Sequence, residues 1–287
     1  MARATIGIIG GSGLYQMEGL SAVESVQLET PFGKPSDAIR VGSLEGRQVA
    51  FLARHGAGHK ILPTEINYRA NIYALKSLGV ERILSASAVG SMREEIHPMD
   101  LVIPDQFIDR TRHRADTFFG HGIAAHVSFA DPVCGELRRV VGESARGSFE
   151  RIHPSGTYLC MEGPQFSTRA ESHMYRSWGV HVIGMTNLTE AKLAREAEIC
   201  YATLALVTDY DCWREHGEEV SVETVISYLT KNARAAQDVI RRVVAAMPQD
   251  RSCPCGKALA TAIITDRTQI PAARMKELSL LIGRYVN

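Results

Sequence analysis

The sequence has no excess of either charge: its 287 residues hold 32 Lys plus Arg against 32 Asp plus Glu. A balanced chain offers no global field to nucleic acid or an anionic membrane, so a small molecule is the expected partner. No apolar run approaches the ~18 residues that a membrane span requires. The start, MARATIGIIGGSGLY, is interrupted by four glycines and lacks the continuous apolar core of a secretory signal, so cytoplasmic residence is expected. Internal repeats, low-complexity tracts and linkers are missing as well. One domain over 1–287 is therefore expected, with a helical tail at about 258–286 beyond the loop-like stretch 248–257. Paired cysteines are scarce: of the six, at 134, 160, 200, 212, 253 and 255, only Cys253-Pro-Cys255 forms a motif. Without a second pair beside it, that motif makes a poor zinc site, and free thiols are expected in a reducing compartment.

What the chain does have is alternation. Short apolar runs at 5–10, 48–53, 82–88, 100–108, 181–185 and 199–207 read as strands covered on both faces. Between them, Tyr68, Ile72, Leu75 and Leu78 form one helical stripe that stops at Gly79. A second helix should start at Ser221 and run to Val244. The pattern predicts an α/β fold with a mixed, mostly parallel central sheet flanked by helices. In such sheets the ligand lies beyond the carboxyl ends of the strands, where the motifs fall.

GGSG (10–13) follows the first strand and suits an anion cradle, with Ser12 adding a hydroxyl; a plain glycine turn is equally open. A dinucleotide fingerprint is excluded, because Gln16 stands where its third glycine belongs. ARHGAGH (53–59) offers Arg54, whose donor fork fits a pair of phosphate oxygens, with His55 and His59 nearby. The glycines at 56 and 58 argue against a helical metal pair, and a solvated loop is the alternative. SASAVGS (85–91) could form a third wall or simply pack tightly. In MEGPQFSTRAES (161–172), Phe166 could stack on a ligand or fill the core, and Ser167 could bind or cap a helix.

TDYDCW (208–213) places two aspartates at i and i+2. On a strand they would share a side, so one pKa should rise; a capped surface turn is the alternative. A magnesium site would recruit further carboxylates, which the anion loops lack.

Together IGIIGGSGLY, TPFGKPSDA, ARHGAGH, NYRANIYALKSLG, GSMREEI, PDQFIDRT, EGPQFSTRAES and TDYDCW resemble the trimeric purine nucleoside phosphorylase family over about 5–245. The resemblance implies that family's fold. It also implies phosphorolysis of methylthioadenosine to adenine and methylthioribose 1-phosphate, with phosphate as co-substrate and no metal or organic cofactor. Ser12, Arg54, His55, Ser87, Ala88 and Thr186 match phosphate contacts of the family, although several members have threonine at the first and fourth of these. Met185 matches a residue against sugar and base, Phe166 and Ser167 match the base pocket, and His59 falls beside phosphate and sugar. Asp209 and Asp211 match the pair that meets the purine N7 and 6-amino group. Val222 and Val225 match an apolar floor under the methylthio group, and His126 a residue reaching a neighbouring subunit of a trimer.

On this resemblance Asp209 is expected to be the acid, with Asp211 raising its pKa. The rival within the fold acts on 6-oxopurine nucleosides or methylthioinosine; a hydrolytic nucleosidase and a non-catalytic nucleoside sensor are further alternatives. Cys253-Pro-Cys255 also resembles a disulfide of some heat-stable relatives.

Overall fold

In the computed structural model, the sheet that the apolar runs predict is present and larger than they suggest, with eleven strands. The structure describes residues 4–286 except 12, 13, 15, 16 and 215–221, and except the side chains of 222–225, 227 and 229. The strands are β1 (Ile6–Gly10), β2 (Ser21–Val26), β3 (Ile39–Leu44), β4 (Arg47–Ala53), β5 (Arg82–Ser91), β6 (Leu101–Val102), β7 (Gln106–Arg110), β8 (Ile152–His153), β9 (Thr157–Met161), β10 (Val182–Gly184) and β11 (Cys200–Asp209). The helices are α1 (Tyr68–Ser77), α2 (Gly135–Ala145), α3 (Arg169–Ser177), α4 (Asn187–Glu196), α5 (Val222–Ala246), α6 (Ala272–Glu277) and α7 (Ser279–Val286).

Strands β4, β1, β5 and β11 run parallel in that spatial order, so Gly10, Ala53, Ser91 and Asp209 end at one edge. The continuous apolar runs are explained by cover on both faces. On one side α1 and α4 bury Ile72, Leu75, Ala191 and Leu193, and Leu281 and Ile282 of α7 join them. On the other side α2 and α5 bury Leu137, Val141, Val239 and Val243. Strand β10 runs against this direction: it pairs antiparallel with β5 at Gly90 and Ser91, and so carries Met185 and Thr186 back along the end of β5.

Two element boundaries differ from expectation, at 100–108 and in the tail, while the helix through Tyr68 and Leu78 matches it. The run 100–108 is two strands, because Pro104 has no N–H for a ladder; β6 pairs with β11 and β7 with β9. Helix α1 starts after Asn67, whose side chain accepts from Ala70 N–H, and Gly79 follows its C-cap at φ +91°. The tail is α-helical only from Ala272, after a single 3-10 turn at Arg267–Gln269; before these, 262–264 instead pair with the 124–126 segment, through an antiparallel bridge between Ala125 and Ile263. The expected cap Ser221 lies outside the described residues. Among the described residues no helix is long and apolar enough to cross a membrane.

Candidate active site

The three predicted anion loops do meet. A Cβ added to Gly11 would stand 2.7 Å from Ala86 O, 2.7 Å from Arg54 Nη1 and 3.5 Å from Ser87 Cα. Only glycine allows that approach. Arg54 N–H donates to Gly10 O at 2.9 Å, which ties the ends of β4 and β1 together. Ser12 itself lies outside the described residues.

Arg54 differs from its expected role as a free fork. Its guanidinium is 1% exposed and grips Glu190 of α4 through Nε at 2.5 Å and Nη2 at 3.2 Å. Nη1 donates to Ala86 O at 3.0 Å and Nη2 to Ser85 Oγ at 2.5 Å. Among the described residues four of the five N–H donors are thus engaged, and the fifth, on Nη1, has no partner. Burial opposes the charge, but the Glu190 carboxylate outweighs it and holds the Arg54 pKa above its ordinary value. Glu190 also accepts from Ser85 Oγ and Tyr201 OH at 2.7 Å each, while Asn187 donates to Ser85, Tyr201 and Thr203. Sequence reasoning missed this network. Its signal was the polar pair Asn187 and Glu190, spaced i, i+3 on a helix otherwise facing the core.

His55 is buried, and its Nδ1 lies 2.8 Å from Ile61 O, so that nitrogen carries the proton. Burial, then the neighbouring Arg54, pushes its pKa down to about 3. His55 is therefore a neutral imidazole with a lone pair on Nε2. His59, at φ +54°, stacks on it with ring centroids 4.2 Å apart. Ser87 is buried and donates to Ala88 O at 3.2 Å. Thr186 is buried as the N-cap position of α4, where its hydroxyl makes no capping bond and donates to Asn187 Oδ1 at 3.3 Å.

The second focus is the end of β11. A register shift between Val207 and Asp209 sets Asp209 opposite Gly90, where a Cβ would come within 2.8 Å of the Asp209 Oδ1. Such a bulge re-aims the side chain that follows it. Asp209 accepts from Thr208 Oγ1 at 2.7 Å and from the Asp211 N–H at 2.8 Å. Burial pushes its pKa up to about 6, with the Asp211 charge a lesser contributor and the two hydrogen bonds acting against both.

The expected same-side pair on a strand is corrected here. The strand ends at Asp209, and Asp211 sits in a turn at φ +53° with its backbone, not its carboxylate, on Asp209. Burial also raises the Asp211 pKa, and the groups around that carboxyl are Ser172, Ser167 and Cys212. The two aspartates thus face different neighbours. Among the described residues no third carboxylate or imidazole joins them in a metal-ligand group.

The 161–172 segment closes on this turn, since Cys212 Sγ donates to Ser167 O at 3.3 Å. Phe166 is 46% exposed, so it is not the core aromatic that was the alternative. Thr168, not Ser167, caps α3, in a capping box with Glu171. Ser167 keeps its hydroxyl against Met161 Sδ at 3.8 Å. Met185 lies under Gly163, where a Cβ would meet its sulfur at 2.6 Å. Arg114, another residue the sequence reading missed, donates to Met185 O at 2.5 Å and to Glu162 O at 2.8 Å, fixing the two segments together.

Val222 and Val225 belong to the first turn of α5, and their side chains lie outside the described residues. His126 is exposed, and its backbone N–H donates to Ala262 O at 2.9 Å. Among the described residues nothing brings its ring to the other candidates.

Comparison with known proteins gives this arrangement a family context. A model of the phosphorylase superfamily matches residues 5–245. The S-methyl-5'-thioadenosine phosphorylase of Koribacter versatilis is 61% identical over 283 residues, covering 99% of this chain and 97% of its own. That of Geobacter sulfurreducens is 59% identical, covering 98% and 99%. Among solved structures, a methylthioadenosine phosphorylase from an Antarctic soil metagenomic library superposes with a TM-score of 0.92 at 52% identity, covering 98% of this chain and 99% of its own. Methylthioadenosine phosphorylase from Schistosoma mansoni in complex with tubercidin superposes at 0.82 with 34% identity, covering 90% and 96%.

Proposed function

The chain belongs to the phosphorylase superfamily, and from that premise we propose that it cleaves S-methyl-5'-thioadenosine with phosphate, yielding adenine and 5-methylthioribose 1-phosphate. The observation that carries the chemistry is Asp209, a carboxyl with its pKa pushed up to about 6 and aimed across Gly90. A carboxylic acid there can protonate N7, so that the purine leaves as a neutral base. The C1'–N9 bond breaks while a phosphate oxygen bonds C1'. The hydrogenphosphate loses its own proton on becoming the ester dianion, which balances the proton given to the base.

The spacing of the two foci fits this reaction. Ser87 and Gly90 lie three residues apart on β5, about 10 Å at a strand's rise, so a sugar can bridge an anion at one and a purine at the other. Phosphate would meet the amides after β1, the Ser87 hydroxyl, Ala88, Thr186 and the remaining N–H of Arg54. His55, a neutral acceptor at Nε2, suits the O–H of hydrogenphosphate, with Ser12 and His59 completing that end. Met185 would lie against the sugar. Phe166 and Ser167 would border the base, Asp211 would accept from the 6-amino group, and Val222 and Val225 would floor the methylthio group. A 6-oxopurine presents an acceptor where adenine presents a donor, which is unfavourable beside a carboxylate.

We further propose one domain, no organic cofactor in the chemistry, cytoplasmic residence, and a homotrimer in which His126, exposed on its own chain, reaches a neighbour's site. The deciding experiment follows adenine release from methylthioadenosine with and without phosphate. Release only with phosphate, and methylthioribose 1-phosphate as co-product, is the expected result. Release without phosphate would make the protein a hydrolase, and binding without release would make it a sensor.

A further inference from the structure

At the opposite end of β11 the fold gathers residues that the sequence keeps far apart. Cys134, Cys200, Cys253 and Cys255 place their four Sγ atoms within 4.8 Å of one another. Three are buried and Cys253 is half-buried, and no disulfide joins them. The expectation of a poor zinc site at Cys253-Pro-Cys255 rested on the want of a second pair. The second pair exists, supplied by the N-cap of α2 and the first residue of β11.

We propose that these four thiols form a closed tetrathiolate centre for a thiophilic divalent ion of the zinc class, which staples the C-terminal segment to the sheet. Zinc–sulfur bonds of about 2.3 Å set tetrahedral sulfurs about 3.8 Å apart. The Cys200 and Cys253 sulfurs are 3.3 Å apart, and every other pair lies within 4.8 Å, so the set is compact enough to close on one ion. A regular tetrahedron with 4.8 Å edges would need each sulfur to move inward by only about 0.6 Å. Four soft ligands and no open position describe a structural ion rather than a catalytic one.

The surroundings hold the ligands in place. Leu137 N–H donates to Cys134 Sγ at 3.5 Å, and the start of α2 favours negative charge on that sulfur. Glu136 accepts from Ser252 N–H and Cys253 N–H at 3.1 Å each and from Ser252 Oγ at 3.0 Å, which locks the loop that presents the last two ligands. Cys134 N–H in turn donates to Tyr201 O at 2.9 Å, fixing α2 to β11. Outer partners of this kind orient metal ligands. Nine residues separate Cys200 from Asp209 along one strand, roughly 30 Å, so the ion would not touch the reaction.

The test is elemental analysis of the full chain, purified without chelator from zinc-supplemented medium. About one zinc per chain, released as a mercurial titrates the thiols, is the expected result. Cys253→Ser, altering the least buried ligand, should lose most of that zinc. Should that variant not fold, cobalt exchanged into the unaltered protein should give the visible absorption of a tetrahedral thiolate site. Metal-free protein with six thiols freely titrating in denaturant would overturn the proposal in favour of apolar packing. Thiols that appear only after reduction would overturn it in favour of disulfides, and iron in place of zinc would overturn the zinc assignment.

Discussion

The two ends of β11 are built on opposite principles. At its carboxyl end Asp209 is held with its charge disfavoured, beside a register shift and a glycine where any side chain would push on its carboxylate. At its amino end Cys200 joins three other thiols in the core beneath α2 and α5. One end keeps a proton available at a cost in stability, and the other fastens a remote segment. The proposed acid sits where the fold tolerates an unfavourable group, and the tolerance comes from packing elsewhere.

The sharpest way to break the comparison is Asp209→Asn. It keeps the hydrogen-bond acceptor but removes the acid, and general acid catalysis contributes about 10²–10⁴-fold. Methylthioadenosine phosphorolysis should fall by about that factor while inosine turnover rises, because an amide facing N7 can also donate to the 6-oxo group on the same purine edge. Steady-state kinetics on both nucleosides check it, and unchanged relative activity would remove Asp209 from the acid role. In the unaltered protein, at saturating phosphate, kcat/KM for the nucleoside should decline as pH rises through about 6, and the variant should lose that step.

Glu190→Ala tests the support beneath the anion end. Removing one partner of a buried ion pair typically costs about 3–5 kcal/mol, since the other charge is left uncompensated. Urea unfolding should show a loss of that order, together with a raised KM for phosphate as Arg54 loses its fixed pose. A loss no larger than that of an exposed pair would mean that the Glu190 carboxylate is not what keeps Arg54 charged.

How much of this could be read from the sequence follows from where the signals lie. TDYDCW, ARHGAGH and SASAVGS are contiguous, and each ends a strand whose apolar run is itself visible, so the sheet edge and most candidates were legible. Glu190 was not, because a carboxylate in a helix reads as a solvated face until its partner Arg54, 136 positions away, is known to be buried. The cysteine cluster was invisible for the same reason, since positions 134, 200 and 253–255 meet only through the packing of α2 and the tail on β11. The 100–108 run misled because its hydrophobicity outweighed Pro104. The orientation of Asp211 misled because strand geometry was extended two residues past the strand's end.

A smaller effect concerns stability. Asp209 has a folded pKa of about 6 against an unfolded value near 3.8, so the folded state takes up the proton first on acidification. The penalty is therefore fully present above pH 6 and relieved below about pH 4, and stability falls as pH rises between them. Asp209→Asn should gain at most about 3 kcal/mol at pH 8 and nothing at pH 4, less any screening by water at this partly buried carboxyl. Glu196, pushed up to about 7 by burial, has the same sign and remains in the variant, so the pH dependence should shrink rather than vanish. Equal gains at both pH values would mean that the carboxyl's charge is not strained.

The smallest effect distinguishes the two aspartates themselves. Asn tolerates the left-handed backbone at position 211, so Asp211→Asn removes the charge while keeping the N–H that Asp209 accepts. If that charge were what raised the Asp209 pKa, the step near pH 6 would move down by a large part of its displacement. Burial is the leading cause instead, so the step should stay within about half a pH unit while the KM for adenine nucleosides rises. Asp211→Val puts a β-branched residue where φ is positive and strains the turn that donates to Asp209. It should therefore disturb the pH profile more than Asp211→Asn does. That order of the two variants, measured as kcat/KM against pH, makes the backbone of Asp211, rather than its carboxylate, the closer partner of the acid.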